Sequence, residues 1–148
     1  MSNDIKKRNG RPFKLDSSVM IIAVATDGEE NGIELDKAAD TMNQGIVYRK
    51  AGRFHEAENA YQDALKIYRT IPDTELDQAR CTMNLGNVYL QTGRVDEAKR
   101  VYKDALKVFR SIPDAELDQA RCTMNLGNVY LETDRFKEAE NAFRYALK

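Results

Sequence analysis

The sixteen residues ELDQARCTMNLGNVYL occupy positions 75–90 and return, letter for letter, at 116–131. A looser copy, ELDKAADTMNQGIVYR, begins at Glu34. The offset is 41 residues in both cases. A fixed period of this size means that one supersecondary unit is written three times, each copy burying its apolar face against the next. Arrays of this kind are quasi-one-dimensional stacks, and they present a long continuous surface.

Within the middle copy, Leu76, Ala79, Met83, Leu85 and Tyr89 recur at helical spacing. Gly93 stands where a left-handed residue ends a helix. A second apolar stripe follows, through Ala98, Val101, Tyr102, Ala105, Leu106 and Phe109. Ile112-Pro113-Asp114 breaks it: proline disfavours helix at the residue before it, and Asp114 is a candidate cap for the next helix. Each copy is therefore a pair of antiparallel helices. The fold class is all-α, with unit boundaries at 33–73, 74–114 and 115–148. Gly86 and Ala98 are small where the two helices of a pair must come close.

Ahead of the array, residues 1–32 read as a separate N-terminal region. Positions 1–16 are polar and basic, with Lys6, Lys7, Arg8, Arg11 and Lys14 against Asp4, and read as a tail. Positions 17–26 are apolar, and Asp16 or Ser17 is placed to cap a helix there that covers the first pair; a strand is the alternative. Positions 27–32, DGEENG, have the composition of a turn-rich linker.

The balance of 23 basic and 24 acidic residues excludes the broad cationic face that nucleic acid requires. No apolar run reaches the roughly 18–20 residues of a membrane span, and no signal peptide is read. Cys81 and Cys122 recur at one register. Equivalent helices lie about 8–10 Å apart, beyond the roughly 7 Å between Cα atoms that a disulfide tolerates. Two free, buried thiols are expected, which suits a reducing cytoplasm.

The ordered set Leu85, Gly86, Tyr89, Gly93, Ala98, Tyr102 and Ala105 closely resembles the tetratricopeptide repeat. The third copy supplies Leu126, Gly127, Tyr130, Ala139, Phe143 and Ala146, and the first supplies Gly45, Tyr48, Gly52, Ala57, Tyr61 and Ala64. The usual unit of that family is shorter by about two helical turns. The longer period is similar to that of kinesin light chain repeats. Gln44 and Asp134 depart from the pattern, at a Leu and a Gly position. The resemblance implies an α-solenoid of three helix pairs in a right-handed superhelix. It also implies a non-enzymatic scaffold for protein–protein interaction, with no cofactor.

In that family the first helix of each pair lines a concave face, with ligand contacts at i, i+3, i+7 and i+10. By position these are Ala39, Met42, Ile46 and Arg49 in copy one. They are Arg80, Met83, Asn87 and Leu90 in copy two, and Arg121, Met124, Asn128 and Leu131 in copy three. Asn43, Asn84 and Asn125 stand at the groove edge. An Asn amide can pair with the main chain of an extended peptide whatever its sequence. Methionine adapts to irregular apolar groups, and arginine meets carboxylates bidentately. An extended or acidic peptide segment is the expected ligand. The alternative is that the asparagines bridge neighbouring helices and the methionines are core. The carboxylate clamp of heat-shock cochaperones is not expected, since Met42, Ile46 and Asn125 replace three of its five residues.

No catalytic or metal-binding set emerges. The only histidine, His55, aligns with Asp96 and Lys137, so the fold does not need it. The uncapped last helix leaves one further expectation: self-assembly through the C-terminal end face, as a dimer or higher oligomer.

Overall fold

Two helices can double back on each other only through a turn that satisfies their end groups, and this chain builds the same turn three times. The computed structural model describes residues 23–148, with side chains from 29 onward. Six helices follow in order: α1 (Ala23–Lys50), α2 (Phe54–Arg69), α3 (Glu75–Gln91), α4 (Val95–Ser111), α5 (Glu116–Glu132) and α6 (Phe136–Ala146). No strand occurs among the described residues. The basic tail at 1–16, the cap at Asp16 or Ser17 and most of the apolar segment lie outside them. The chain divides into Met1–Ile33 and Glu34–Lys148, and the second unit holds the repeats.

Within each pair a left-handed residue turns the chain: Gly52 (φ 79°), Gly93 (82°) and Asp134 (57°). The next residue is an arginine at the N-cap position of the following helix. The backbone N–H groups of Arg53, Arg94 and Arg135 donate to the carbonyls of Tyr48, Tyr89 and Tyr130 at 2.9, 2.7 and 2.8 Å. Each guanidinium lies over the ring of that same tyrosine, 4.8, 4.2 and 5.2 Å from its centroid. It also pairs with a glutamate in the first turn of the next helix, at Glu56, Glu97 or Glu138. The pattern Tyr-x4-Arg-x2-Glu is thus a hairpin clasp in which cation–π and ionic contacts share one cation.

Between pairs the turn is different. Ile112 is extended (φ −108°, ψ 128°), as a residue before proline must be. Asp73 and Asp114 then take the left-handed conformation, with φ of 61° and 63°, which aspartate tolerates better than most residues. They do not cap the next helix. The N-cap positions are Thr74 and Ala115, and neither makes a side-chain cap bond. Buried Thr74 instead donates its hydroxyl to the carbonyl of Tyr68 at 2.7 Å.

At the start of the described chain, α1 runs through 27–32, where the sequence suggests a turn. Glycine inside a helix costs about 1 kcal/mol relative to alanine. That weakens the helix at Gly28 and Gly32 without breaking it.

The core lies between the helices of each pair and between successive pairs. Tyr61, Tyr102 and Phe109 are its largest fully enclosed side chains. Tyr61, Tyr102 and Phe143 lie over Gly45, Gly86 and Gly127; a Cβ on these glycines would stand 2.7, 2.6 and 2.5 Å from the ring edge. Gly86 therefore makes room for the Tyr102 ring. Within 34–148, α2 packs on α3, α4 on α5, and α3 also touches α5. No Cα pair within 8 Å joins α4 to α6. First helices approach one another while second helices spread apart, so the first helices line the inner side of the stack.

Candidate protein-binding groove

The inner side is built from α1, α3 and α5, whose side chains at helical positions i, i+3, i+7 and i+10 form rows across the stack. Much of this surface is tied into the fold. Arg80 on α3 donates to both carboxylate oxygens of Asp118 on α5, at 3.2 and 2.9 Å. Asp118 is buried, and its carboxylate raises the Arg80 pKa. A second carboxylate, Asp77, stands 4.0 Å from Arg80. The Arg80 fork that the sequence offers to a ligand is thus occupied by the next repeat.

The middle asparagines are also engaged. Tyr102 donates its hydroxyl to Asn87 Oδ1 at 2.5 Å, and Asn125 Nδ2 donates to the same oxygen at 3.2 Å. Asn87 therefore bridges α4 and α5, and burial raises the Tyr102 pKa. In the first repeat Ile46 stands at the Asn87 position and can accept nothing. There the Tyr61 hydroxyl and Arg49 Nε are buried with no hydrogen-bond partner among the described residues. Burial raises the Tyr61 pKa, and the Arg49 side chain offsets part of the shift. The Arg49 head donates onward to Gln91 of α3 at 3.1 Å.

The methionines differ by position. Met42 is half-buried, and Cys81 Sγ donates to its sulfur at 3.4 Å. Met83 is buried, at 6% exposure, whereas Met124 is 46% exposed. Ile46 and Leu90 are half-buried against the core, and Leu131 is exposed. Asn43 and Asn128 are exposed and Asn84 is half-buried; none of the three makes a side-chain hydrogen bond among the described residues. Arg121 is exposed and meets no carboxylate within 4.0 Å among those residues. The open part of the row is thus Asn43, Asn84, Arg121, Met124, Asn128 and Leu131, concentrated on α5. Asp118 and Gln91 also belong to this region, although the sequence does not mark them for it, and Tyr102, marked there only as a core ring, joins it through its hydroxyl. The signal for the first was available: Asp118 lies one period less three residues beyond Arg80.

Cys81 and Cys122 are free and buried, and burial pushes both thiols up to about 12. They are unreactive at neutral pH. Among the described residues no group of three or more His, Cys, Asp or Glu side chains could hold a metal ion. No described helix is long and apolar enough to cross a membrane.

Solved structures with this arrangement of helices carry the comparison further. The chain is similar to BtubC (BKLC) from P. vanneervenii, with 28% identity and a TM-score of 0.68 over 85% of this chain and 52% of that one. It is also similar in fold to the N-terminal domain of stress-induced protein-1 (STI-1) from C. elegans, at 19% identity and a TM-score of 0.62, over 77% of this chain and 84% of that one. Aspartyl phosphate phosphatase F from Bacillus subtilis matches at 14% identity and a TM-score of 0.73, over 76% of this chain and 29% of that one. The chain spans about half the length of the BtubC chain it matches. No curated protein sequence matches significantly. The family model described as tetratricopeptide repeat matches residues 36–111 and 77–148. With helix pairs, clasped turns and glycine-seated rings in every unit, the chain belongs to the tetratricopeptide repeat family.

Proposed function

We propose that this protein–protein interaction scaffold holds an extended peptide of a partner on its inner face, and that the contacts centre on α5. The observation that carries this reading is the row of open polar and apolar side chains there. Asn128, Met124, Leu131 and Arg121 are exposed beside the less exposed surface of α3. Asn84 and Asn43 continue the row onto α3 and α1. Unpaired amides match the alternating donors and acceptors of an extended main chain. Met124 and Leu131 offer area to apolar side chains, and Arg121 offers a fork to a carboxylate. Arg80 is not part of this contact set, because Asp118 holds it. A localisation in the cytoplasm fits the two free thiols.

The test is a panel of extended peptides, acidic and neutral, titrated against the wild type and two variants. Arg121→Glu is expected to weaken acidic peptides at least tenfold and neutral ones little. Replacing Asn84 and Asn128 together by alanine is expected to weaken both classes. Unchanged binding in the folded double variant removes the inner face as the site.

A second reading is contact between copies through the C-terminal end face. Met124, Leu131, Tyr145 and Leu147 are all exposed there, while the same register in the middle repeat, Met83, is enclosed.

A further inference from the structure

The outer side of the stack carries two grooves built in the same way. One lies between α2 and α4 with α3 beneath it, and the other between α4 and α6 with α5 beneath it. They differ in size and in charge. The first encloses about 160 Å³, and Arg69 shares it with the carboxylates of Glu75 and Asp104. The second encloses about 640 Å³, and Lys103, Lys107 and Arg110 line it from α4.

Three replacements at matching registers account for the change of charge. Gln62 on α2 becomes Lys103 on α4, Arg100 on α4 becomes Asn141 on α6, and Asp104 on α4 becomes Tyr145 on α6. One wall thus gains a cation, and the facing wall loses its carboxylate. Glu138 is the one carboxylate left in the lining, and Arg135 holds it at 2.9 Å. No ion pair among the described residues engages Lys103, Lys107 or Arg110. Arg110 instead lies over the Tyr145 ring, 5.7 Å from its centroid. The depth of the groove is apolar, at Leu106, Leu126 and Ala142.

These registers are open in the interior of the stack as well. Gln62, Lys66 and Arg69 on α2 are exposed although four helices follow them, and so is Asp104, at the Tyr145 register. No Cα pair within 8 Å joins α2 to α5. A first helix stacked on one pair therefore does not reach the second helix of the pair before it, and the outer grooves stay uncovered. The three cations stand at i, i+4 and i+7 of α4, in one stripe about 10 Å long. An extended chain covers that length in about three residues.

We propose that the groove between α4 and α6 docks an acidic peptide segment of a partner. Its carboxylates lie along Lys103, Lys107 and Arg110, and one apolar side chain enters between Leu106, Leu126 and Ala142. Charge complementarity selects this occupant: three cations without carboxylates draw an anionic chain. The apolar depth and the lysine stems favour a peptide over a small free anion. The chain's own basic segment at 1–16 carries the wrong sign. The site is distinct from the inner face and goes beyond the reading given above.

Fluorescence anisotropy on the full chain tests this, with a short labelled peptide of Glu and Asp around one central Leu, blocked at both ends. Every chain in the series carries Arg121→Glu, so that the inner face contributes little. In that background the peptide is expected to bind, and more weakly as salt rises. Lys103→Glu with Lys107→Glu is expected to weaken binding at least tenfold. The same registers one repeat earlier, Gln62→Glu with Lys66→Glu, add nearly the same negative charge and are expected to change it less than twofold. Replacing the central Leu by Gly is expected to weaken it at least threefold. Helical content by circular dichroism confirms that each variant is folded. No binding in the Arg121→Glu background, binding that survives the α4 reversal, equal losses from the two reversals, or indifference to the leucine each overturns the outer groove. None of these results bears on the inner-face site, which is decided by its own variants.

Discussion

Gly86 shows how one hydrogen atom in place of a methyl sets the spacing of a helix pair. Its missing Cβ is the space that the Tyr102 ring edge fills, and that ring is almost fully enclosed. The ring cannot retreat, because its hydroxyl is anchored on Asn87. Gly86→Ala is expected to destabilise the chain by about 1–3 kcal/mol through overpacking, seen as a lower midpoint in urea. Alanine's better helix propensity offsets about 1 kcal/mol of that at most. A midpoint at or above the wild-type value would show that the pair can spread at no cost. The same geometry recurs at Gly45 and Gly127, so the substitution series there should run in the same direction. Phe143 is only half-buried, whereas Tyr61 and Tyr102 are enclosed, so its ring has room to shift and Gly127→Ala should be the mildest of the three.

At the scale of the helix and its turn, the clasp decides how firmly each pair is closed. Asp134 holds a left-handed φ of 57° where the other two clasps use glycine. Asp134→Gly is expected to stabilise the third pair by roughly 0.5–1 kcal/mol, the difference between relief of backbone strain and the extra freedom of an unfolded glycine. Thermal unfolding of the two chains checks this. The clasp glutamates carry a pH dependence. Arg53, Arg94 and Arg135 hold the carboxyls of Glu56, Glu97 and Glu138 below the usual range. A depressed folded-state pKa contributes stability above the ordinary glutamate value and loses it as pH falls through the folded value. The melting temperature should therefore fall on acidification from neutral pH into the carboxylate range. Replacing all three glutamates by glutamine should flatten that fall. The helix stripes, the left-handed Gly93 and the proline break were legible in the sequence because local periodicity and backbone sterics fix them. The clasp was not, although it repeats at 41 residues, since Tyr, Arg and Glu each also read as ordinary surface or core residues. Asp114 misled for a similar reason. Aspartate favours both caps and left-handed turns, and the preceding proline selected the second.

Over the whole stack, the groove was only partly legible. The register that gives Arg80 and Arg121 equivalent places is a property of the helix and of the 41-residue period. What they do there is set by neighbours 38 residues away. Asp118 is enclosed and claims Arg80, while nothing described claims Arg121. Two arginines in identical local sequence therefore take different roles, and no reading confined to the sixteen shared letters could separate them. The same holds for Asn87, tied to Tyr102 and Asn125, and Asn128, whose pair partner would have to come from outside the unit. A row of equivalent residues in a repeat array is best judged joint by joint.

α3 and α5 start at Glu75 and Glu116, and each is entered from an Ile-Pro-Asp turn. Length in this chain therefore behaves as a quantised variable. Excising residues 74–114 splices Asp73 to Ala115 and leaves every clasp and glycine seat in phase. The product should be a shorter helical protein that still unfolds cooperatively, with a smaller denaturant slope in proportion to the surface it buries. Excising one residue fewer rotates all that follows by about 100° around the helix axis. That should cost most of the ellipticity, because the apolar stripes would then face solvent.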